Sequence, residues 1–412
     1  LMARAEGRPV SIDSCTISGG DVVCQVSTGR VPATDDGNYY VYADEVWQDG
    51  TTGQVVATVP AGTSVSVSFP LQYNTEQSNL SRKFLIAVKQ GGQMVQVSDE
   101  HYITNPEAIA AFTSARMDAG IKGLLPDLTK ASKEELQELG VKQIVYNMYV
   151  DDICADASVP GAIPFDYNGQ TWYFDGSMVG KFDSMIRSLN VYGMQVTMVL
   201  LNGGKSPYTQ DLIHPMAAGG DCPGYALNVE DAAGTNHIKA IGAFLGQRYS
   251  GQAGHGQVDN WIVGNEVNAR TSWWYTSSDS LDFNVNIYVK AFRLLYNELK
   301  SANANVNVYN SIDQEWNRKS NPGSFLARDY LDQFNYYINR EGNIDWGLSY
   351  HPYNSPLYDP YAWNGPAVWV GKDLSTPYIT MQNIDLLIDY MHRTQFLNPE
   401  WQVRSISLAE IG

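Results

Sequence analysis

Apolar and β-branched residues alternate with polar residues over the first hundred positions of the chain. Clear examples are residues 38–43, 63–69 and 83–88, and clusters of Gly, Asp and Asn separate them. A period of two residues is typical of strands with one buried face. The spacing predicts a small all-β sandwich domain of immunoglobulin or fibronectin type over residues 8–103, which either binds carbohydrate or only packs against the rest of the chain.

The pattern changes at Thr104-Asn105-Pro106, after which apolar runs alternate with helical segments. Strands are predicted at residues 121–128, 141–149, 194–201, 258–265, 306–311, 346–350 and 402–409. Helices are predicted at residues 130–139, 177–189, 230–248, 283–301, 329–340 and 379–396. Ser132 is the expected N-cap of the first helix. Such alternation predicts a parallel sheet with right-handed crossovers.

Seven strand–helix units in series predict an α/β fold, namely a (β/α)8 TIM barrel over residues 104–412 whose last strand is missing from this chain. A doubly wound open sheet is the alternative. That fold usually carries a Gly-rich phosphate loop after its first strand, and the sequence has none. Because a barrel of seven strands leaves two sheet edges exposed, we expect either a fragment of a longer protein or a strand count that is short by one.

Two predicted strands end in a glutamate. Asn265-Glu266 closes the fourth strand and Glu410 closes the seventh, and barrel enzymes place their active sites at the carboxyl ends of the strands. Strand alternation predicts that the residues two and four positions before each glutamate point inward with it: Ile262, Gly264, Ile406 and Leu408. An apolar column below a carboxyl group raises its pKa. Two carboxyl groups in one pocket are the minimum equipment for cleaving a glycosidic bond.

These residues resemble clan A of the glycoside hydrolases, a large group of retaining (β/α)8 enzymes. The match consists of Asn265-Glu266 on strand four, His351 and Tyr353 after strand six, and Glu410 on strand seven. It covers roughly residues 115–412 and is closest to an uncharacterised bacterial subgroup, so the substrate does not transfer.

The resemblance implies a role for each matching residue. Glu266 would be the acid/base and Glu410 the nucleophile. Tyr353 would donate a hydrogen bond to Glu410, and Asn265 would bind the sugar 2-hydroxyl group. His351 would line the pocket, or would be a structural histidine.

Other expected substrate contacts lie near the strand ends. Many members of clan A hold the nucleophile with an arginine on strand two, which this chain lacks, so Asn147 or Asp151 is expected in that space. Trp273 and Trp274 follow strand four, and we expect at least one of them to stack on a sugar ring, with packing against a loop as the alternative. Further candidates are Asn202, at the end of strand three, and Trp316, in the loop after strand five.

The composition restricts the partners. The 412 residues carry a net charge of −17, so the surface repels nucleic acid and anionic membranes and suits a neutral carbohydrate substrate. No apolar run is long enough to insert into a bilayer. Aromatic residues make up 12% and charged residues only 17%, which favours a secreted or cell-surface bacterial protein. Leu1–Arg4 lacks the apolar core of a signal peptide, so we expect the signal to be absent from this chain.

The spacing of histidine, serine and cysteine residues bears on metal binding, on other hydrolase classes and on disulfides. The six histidines lack metal-ligand spacing, so we expect a site without metal or cofactor. A serine esterase is disfavoured because the chain has no Gly-x-Ser-x-Gly motif. The four cysteines form either two disulfides, Cys15–Cys24 and Cys154–Cys222, or buried free thiols.

The sequence therefore predicts a secreted retaining β-glycoside hydrolase. One alternative is a carbohydrate-binding protein without catalysis on the same scaffold, and the other is a barrel enzyme of another class, such as a lyase.

Overall fold

The computed structural model describes residues 7–117 and 120–411. Leu1–Arg4, which entered the signal-peptide prediction, and Gly412 lie outside the described residues. The N-terminal part contains eight strands: β1 (Ser11–Ser18), β2 (Asp21–Ser27), β3 (Asn38–Asp44), β4 (Gln54–Pro60), β5 (Ser64–Pro70), β6 (Lys83–Gln90), β7 (Gln93–Gln96) and β8 (His101–Tyr102). The three alternating runs in the sequence correspond to β3, β5 and β6, so these strand predictions are confirmed.

Two antiparallel sheets form the N-terminal part. One has the order β1-β2-β5, and the other has the order β4-β3-β6-β7 with β8 also paired to β6. Buried residues of both sheets, including Val22, Val67, Val41 and Ile86, pack into one apolar cluster. The two sheets therefore share one apolar core, and the predicted sandwich stays a prediction.

Among the later residues that the structure describes, ten strands follow: β9 (Gly123–Leu124), β10 (Gln143–Tyr149), β11 (Cys154–Ala155), β12 (Ile163–Tyr167), β13 (Gln170–Phe174), β14 (Gln195–Leu201), β15 (Asn260–Val263), β16 (Asn307–Asp313), β17 (Gly347–His351) and β18 (Ile406–Ser407). The α-helices of the described residues are α1 (Lys133–Glu138), α2 (Val150–Ile153), α3 (Gly176–Val191), α4 (Ala232–Arg248), α5 (Leu281–Ala302), α6 (Ala327–Arg340) and α7 (Asp385–Met391). Short 3₁₀ helices occupy Pro106–Ile109, Pro207–Leu212, Pro215–Ala217, Met381–Asn383 and Thr394–Phe396.

Seven strands form a curled parallel sheet, a half-barrel, in the order β9-β10-β14-β15-β16-β17-β18. Each strand pairs with the next parallel strand along the chain, and a helix lies in every connection. A doubly wound sheet reverses its strand order at a switch point. The unbroken order therefore rules out that alternative and agrees with a barrel-type sheet.

Residues on the two faces of this sheet belong to different apolar clusters. A large cluster lies between the sheet and its helices and includes Ile144, Trp261 and Leu348. A small cluster on the other face contains the buried side chains of Val145, Val199, Leu201, Ile262 and Tyr309. We call this small cluster the inner face, because the helices cover the opposite side.

Most predicted elements are present with shifted ends, and three differ clearly. The first strand shrinks to the two residues of β9, the last to the two residues of β18, and the helix predicted at 379–396 to α7 with a 3₁₀ turn on each side. The N-cap prediction is confirmed, since the Ser132 side chain accepts a hydrogen bond from the Glu135 N–H and the Glu135 carboxylate accepts one from the Ser132 N–H.

The sequence patterns predicted neither a strand nor a helix over residues 154–175, and the structure has a hairpin there. β12 and β13 pair there in antiparallel fashion. Asn168 and Gly169 connect them with φ angles of 51° and 77°. Both values suit a two-residue turn of the kind that Asn-Gly favours, so the signal was present in the sequence.

Helices α4 and α5 contact the connections between the N-terminal strands through polar side chains. The Lys239 ammonium group lies 2.8 Å from Glu45. Asn297 donates a hydrogen bond of 2.9 Å to the Leu80 carbonyl. Glu298, which is 1% exposed, accepts hydrogen bonds from the hydroxyl groups of Ser81 and Tyr167. The predicted boundary between residues 103 and 104 stays a prediction.

Cys15 and Cys24 face each other across the β1–β2 hairpin, with sulfur atoms 3.1 Å apart. Both are free thiols in this structure, as are Cys154, which is buried in the large cluster, and Cys222, whose thiol donates to the Gly224 carbonyl. The two predicted disulfides stay a prediction. Across the described residues, none of the helices is both long and apolar enough to pass through a membrane.

Candidate active site

A sharp turn after β15 presents Glu266. The strand ends at Val263, and Gly264 follows with a φ angle of 74°. A Cβ atom at Gly264 would lie 2.9 Å from Val267 Cγ1, so both the backbone conformation and the close approach require glycine there. The Ile262 side chain belongs to the inner face, as predicted. Strand β15 therefore ends in a turn directly before Glu266.

Glu410 lies three residues beyond β18, and the alternation predicted for it is wrong. Ile406 packs against the helix-side cluster and Leu408 is 37% exposed, whereas Ala409 packs against the inner face. The two-residue strand ends before Leu408, so a period of two cannot be extended to Glu410. Glu410 reaches the site from an irregular segment.

Three side chains converge at this end of the sheet. His351, the last residue of β17, places Nδ1 2.9 Å from Glu266 Oε1 and 3.8 Å from Glu410 Oε2. One potential ligand atom from each of the three residues lies within 4.8 Å of the other two. The side chain of His351 is 1% exposed, and those of Glu266 and Glu410 are 17% and 20% exposed. The structure therefore brings the two predicted carboxylates together in a half-buried site.

Tyr353 binds the second carboxylate. Its hydroxyl group donates a hydrogen bond of 2.8 Å to Glu410 Oε2. Burial, followed by the hydrogen bond to Glu410 and the charge of that group, raises the pKa of Tyr353 above its usual range. The phenol therefore keeps its proton and remains a hydrogen-bond donor to Glu410.

Two predicted contacts lie close to the site in the fold. Asn265 directly precedes Glu266 and is 5% exposed. Asn147 is half-buried on β10, two residues after the inner-face residue Val145, so strand alternation places both on the same face. Binding of sugar by either residue stays a prediction.

Asn202 supports the loop after β14. It is 4% exposed, and its Nδ2 donates a hydrogen bond of 3.1 Å to the Leu212 carbonyl. Its backbone carbonyl accepts a hydrogen bond from the Tyr225 N–H. Asn202 thus holds the loop after β14 in place, and a contact between its side chain and substrate stays a prediction.

Asp151 also supports this loop. Its carboxylate accepts hydrogen bonds from the backbone N–H groups of Gly203, Lys205 and Ser206. The Asp151 carboxylate therefore anchors this loop, and its place in the space of the missing strand-two arginine stays a prediction.

The three tryptophans predicted to bind sugar differ in burial. Trp273 is half-buried and packs against the inner face, so it remains a candidate for stacking on a sugar. Trp274 is 2% exposed and packs edge-on against Tyr288 in the helix-side cluster. Trp316 is fully buried and packs edge-on against Tyr390. Both tryptophans are therefore core residues in this structure, and binding of sugar by either of them stays a prediction.

A third carboxyl group was not given a role by the sequence. Asp313 is the last residue of β16 and is 6% exposed. Burial raises its pKa to about 8, and the charges of Glu266 and Glu315 add to the effect. The sequence signal for Asp313 was its position at the end of a strand. That signal is weak, because aspartates with a purely structural role also occur at strand ends.

The fold and site define an α/β protein with a barrel-type parallel sheet and paired carboxylates at the carboxyl ends of its strands. The chain belongs to a family of unknown function, DUF5722, whose model matches residues 114–412. Among curated protein sequences, none matches this chain.

Several solved structures are distantly similar. A glucosidase from Croceicoccus marinus is 15% identical with a TM-score of 0.33, over 59% of this chain and 45% of that one. For two fungal β-1,4-galactanases the values are 13% and 0.31, over 54% and 55%. For a family 1 β-glucosidase from Thermotoga maritima they are 11% and 0.33, over 55% and 53%. The chain spans about half the length of these proteins. Similarity this distant assigns no activity, so the function is inferred from the site residues.

Proposed function

We propose that this protein is a retaining β-glycoside hydrolase that acts on a neutral oligosaccharide or polysaccharide. The observation that carries the proposal is the pair Glu266 and Glu410, two half-buried carboxylates with oxygens within 4.8 Å, at the carboxyl ends of parallel strands. This is the position at which barrel enzymes hold their catalytic groups.

The separation of the carboxylates favours retention of configuration. Retaining glycosidases hold their two carboxyl groups about 5–5.5 Å apart, whereas inverting enzymes need about 6.5–9.5 Å to admit a water molecule between. One oxygen of Glu266 lies within 4.8 Å of one oxygen of Glu410, which is nearer to the range of retaining enzymes and supports direct attack by one carboxylate on the sugar.

The hydrogen bonds support a division of roles. Tyr353 donates to Glu410, which stabilises the ionised form needed for a nucleophile. His351 Nδ1 lies 2.9 Å from Glu266 Oε1 and 3.8 Å from Glu410 Oε2, so it accepts from a protonated Glu266 in one tautomer and donates to an ionised Glu266 in the other. We therefore assign Glu410 as nucleophile and Glu266 as acid/base.

The reaction then proceeds in two displacements. Glu410 attacks the anomeric carbon, the glycosidic C–O bond breaks, and the Glu266 proton passes to the departing oxygen. Glu266, now ionised, takes a proton from water while the water oxygen attacks the anomeric carbon and releases Glu410. The sum is addition of one water across the bond, and both carboxyl groups return to their starting states.

The proposal also includes the domain organisation, the sugar contacts and the cellular location. Residues 104–412 would form a (β/α)8 barrel domain and residues 8–103 an accessory β-sandwich of immunoglobulin or fibronectin type. Asn265 and Asn147 would bind sugar hydroxyl groups, and Trp273 would stack on a ring. The net charge of −17 and the scarcity of charged residues favour a neutral substrate and an extracellular location.

The test is a panel of polysaccharides and aryl glycosides, with the anomeric configuration of the first product followed by NMR. The proposal expects hydrolysis with net retention, lost in Glu266→Gln and Glu410→Gln variants that bind substrate as before. Net inversion would contradict the assigned roles. Binding without turnover in the wild type would favour the carbohydrate-binding alternative, and a product with a new double bond would favour a lyase.

A further inference from the structure

Glu266 has an unusual backbone conformation. Its φ angle is 38°, in the left-handed region that residues other than glycine rarely occupy. Such a conformation is energetically unfavourable and persists only where the surroundings enforce it. The residues that enforce it therefore determine where the Glu266 carboxylate lies.

The end of strand β16 holds the Glu266 turn. The Glu266 N–H donates a hydrogen bond of 3.0 Å to Ser311 Oγ, and the Val267 N–H donates one of 2.9 Å to the Ser311 carbonyl. Asn268 Nδ2 donates to Asp313 Oδ1 at 2.8 Å, and the Asp313 N–H donates back to Asn268 Oδ1 at 3.1 Å. Three consecutive residues of the turn are thus tied to one strand.

The reciprocal pair of Asn268 and Asp313 is buried and well connected. Asn268 is 0% exposed and Asp313 is 6% exposed. Asp313 Oδ1 also accepts from the Glu315 N–H at 2.9 Å, and Asn268 Nδ2 also approaches the Phe325 carbonyl at 3.3 Å. A buried polar network with its partners in place fixes one geometry, because any displacement leaves a buried polar group unpaired.

We infer that Asn268 and Asp313 form a clamp that positions Glu266 for proton transfer, so that Asp313 is a positioning residue for the reaction. The role of Asp313 in catalysis rests on the proposed function, whereas the clamp itself rests on the hydrogen bonds alone.

The chemical state of Asp313 fits this role. Burial, followed by the charges of Glu266 and Glu315, raises its pKa to about 8, so the carboxyl group is protonated at neutral pH. A neutral Asp313 holds the turn through Oδ1 without placing a further negative charge beside Glu266. The other titratable groups that face it are Tyr350, Tyr378 and its strand neighbour His351.

The experiment compares Asp313→Ala with Asp259→Ala. Asp259 is a matched control because it is 1% exposed, accepts from Gln257 and Met117, and lies at the opposite end of the sheet, just before β15. Two quantities are measured: hydrogen exchange of the backbone amides at residues 264–268, and steady-state kinetics on the best glycoside of the panel.

We expect Asp313→Ala to raise amide exchange at 264–268 and to lower kcat by about ten- to a hundredfold with KM within about twofold, since displaced catalytic groups lose rate rather than affinity. Asp259→Ala should change neither quantity. Asp313→Asn keeps Oδ1 as acceptor and should retain the wild-type exchange and rate at neutral pH.

A folded Asp313→Ala protein with wild-type exchange and wild-type kcat would overturn the clamp. If that variant does not fold, Asn268→Ala removes the same reciprocal pair from the other side and is judged by the same two quantities. If the wild type cleaves no glycoside, the proposed function fails, and amide exchange alone still decides whether the clamp exists.

Discussion

The hydroxyl group of Tyr353 donates a hydrogen bond of 2.8 Å to Oε2 of Glu410, which joins the segment after β17 to the segment after β18. A hydrogen bond to a charged group contributes about 1.5–3 kcal/mol. If Glu410 is the nucleophile, this bond acts on its ionised form, and its removal is directly measurable.

We expect Tyr353→Phe to lower kcat/KM by roughly ten- to a hundredfold, because about 1.4 kcal/mol corresponds to a factor of ten. The matched control is Tyr192→Phe, which removes a Tyr–Glu hydrogen bond to Glu134 away from the site. Steady-state kinetics with an aryl glycoside measure both. Equal activity of Tyr353→Phe and wild type would remove Tyr353 from the mechanism.

The two glutamates should respond differently to a small anion. Glu410→Ala leaves space beside the anomeric carbon, so azide should restore turnover and form a glycosyl azide of inverted configuration. With Glu266→Ala, azide should give a product of retained configuration, since Glu410 still attacks first. NMR of the azide products distinguishes the two cases, and the opposite pattern would exchange the roles.

Adjacent tryptophans should separate binding from stability. Trp273→Ala should raise KM for oligosaccharides with little change in the melting temperature, because Trp273 is half-buried on the inner face. Trp274→Ala should destabilise the protein by about 3–5 kcal/mol, since it empties a core position against Tyr288. Denaturant unfolding and kinetics on both variants check this, and a stable Trp274→Ala protein would show that the packing is misassigned.

Stability should fall as the pH rises through neutrality, because of Glu298. Burial raises its pKa to about 7, while Tyr167, Lys239 and Ser81 partly oppose the shift. A carboxyl group with a raised pKa stabilises the fold fully below its unfolded value, about 4.3, and this contribution is lost as the pH rises through the folded value. Melting curves from pH 5 to pH 9 should show a smaller loss for Glu298→Gln than for wild type. Parallel curves would show that Glu298 does not titrate in this range.

Chelation tests the expectation of a site without metal. Glu266, His351 and Glu410 are close enough together to hold a cation, as well as to act as an acid pair. If catalysis depends on the carboxylates alone, dialysis against EDTA should leave kcat unchanged. Loss of activity that zinc or another divalent ion restores would contradict the proposed mechanism.

Local signals in the sequence predicted much of the framework. Ser132 with Glu135 marks a helix start because their side chains cap the helix within four residues. The runs at 194–201 and 306–311 predicted β14 and β16 because a buried parallel strand is apolar on both faces. The Asn168-Gly169 pair is an equally local signal for a tight turn, and the hairpin was missed only because its two strands were not predicted.

Other features depended on contacts between distant residues. The sequence placed Trp273 and Trp274 side by side without distinguishing them, and only packing puts one on the inner face and the other against Tyr288. Strand alternation failed for Glu410 because β18 is two residues long and the chain beyond it follows its neighbours rather than a period.

The sequence by itself determined that parallel strands and helices alternate and that Glu266 and Glu410 follow two of those strands, because periodicity and strand ends are local properties. The tertiary structure alone decided that the two carboxylates meet at His351, that Tyr353 binds Glu410, and that β16 holds the Glu266 turn. Distances between residues far apart in the chain are set by how the strands pair and how the helices pack, and no local pattern encodes them.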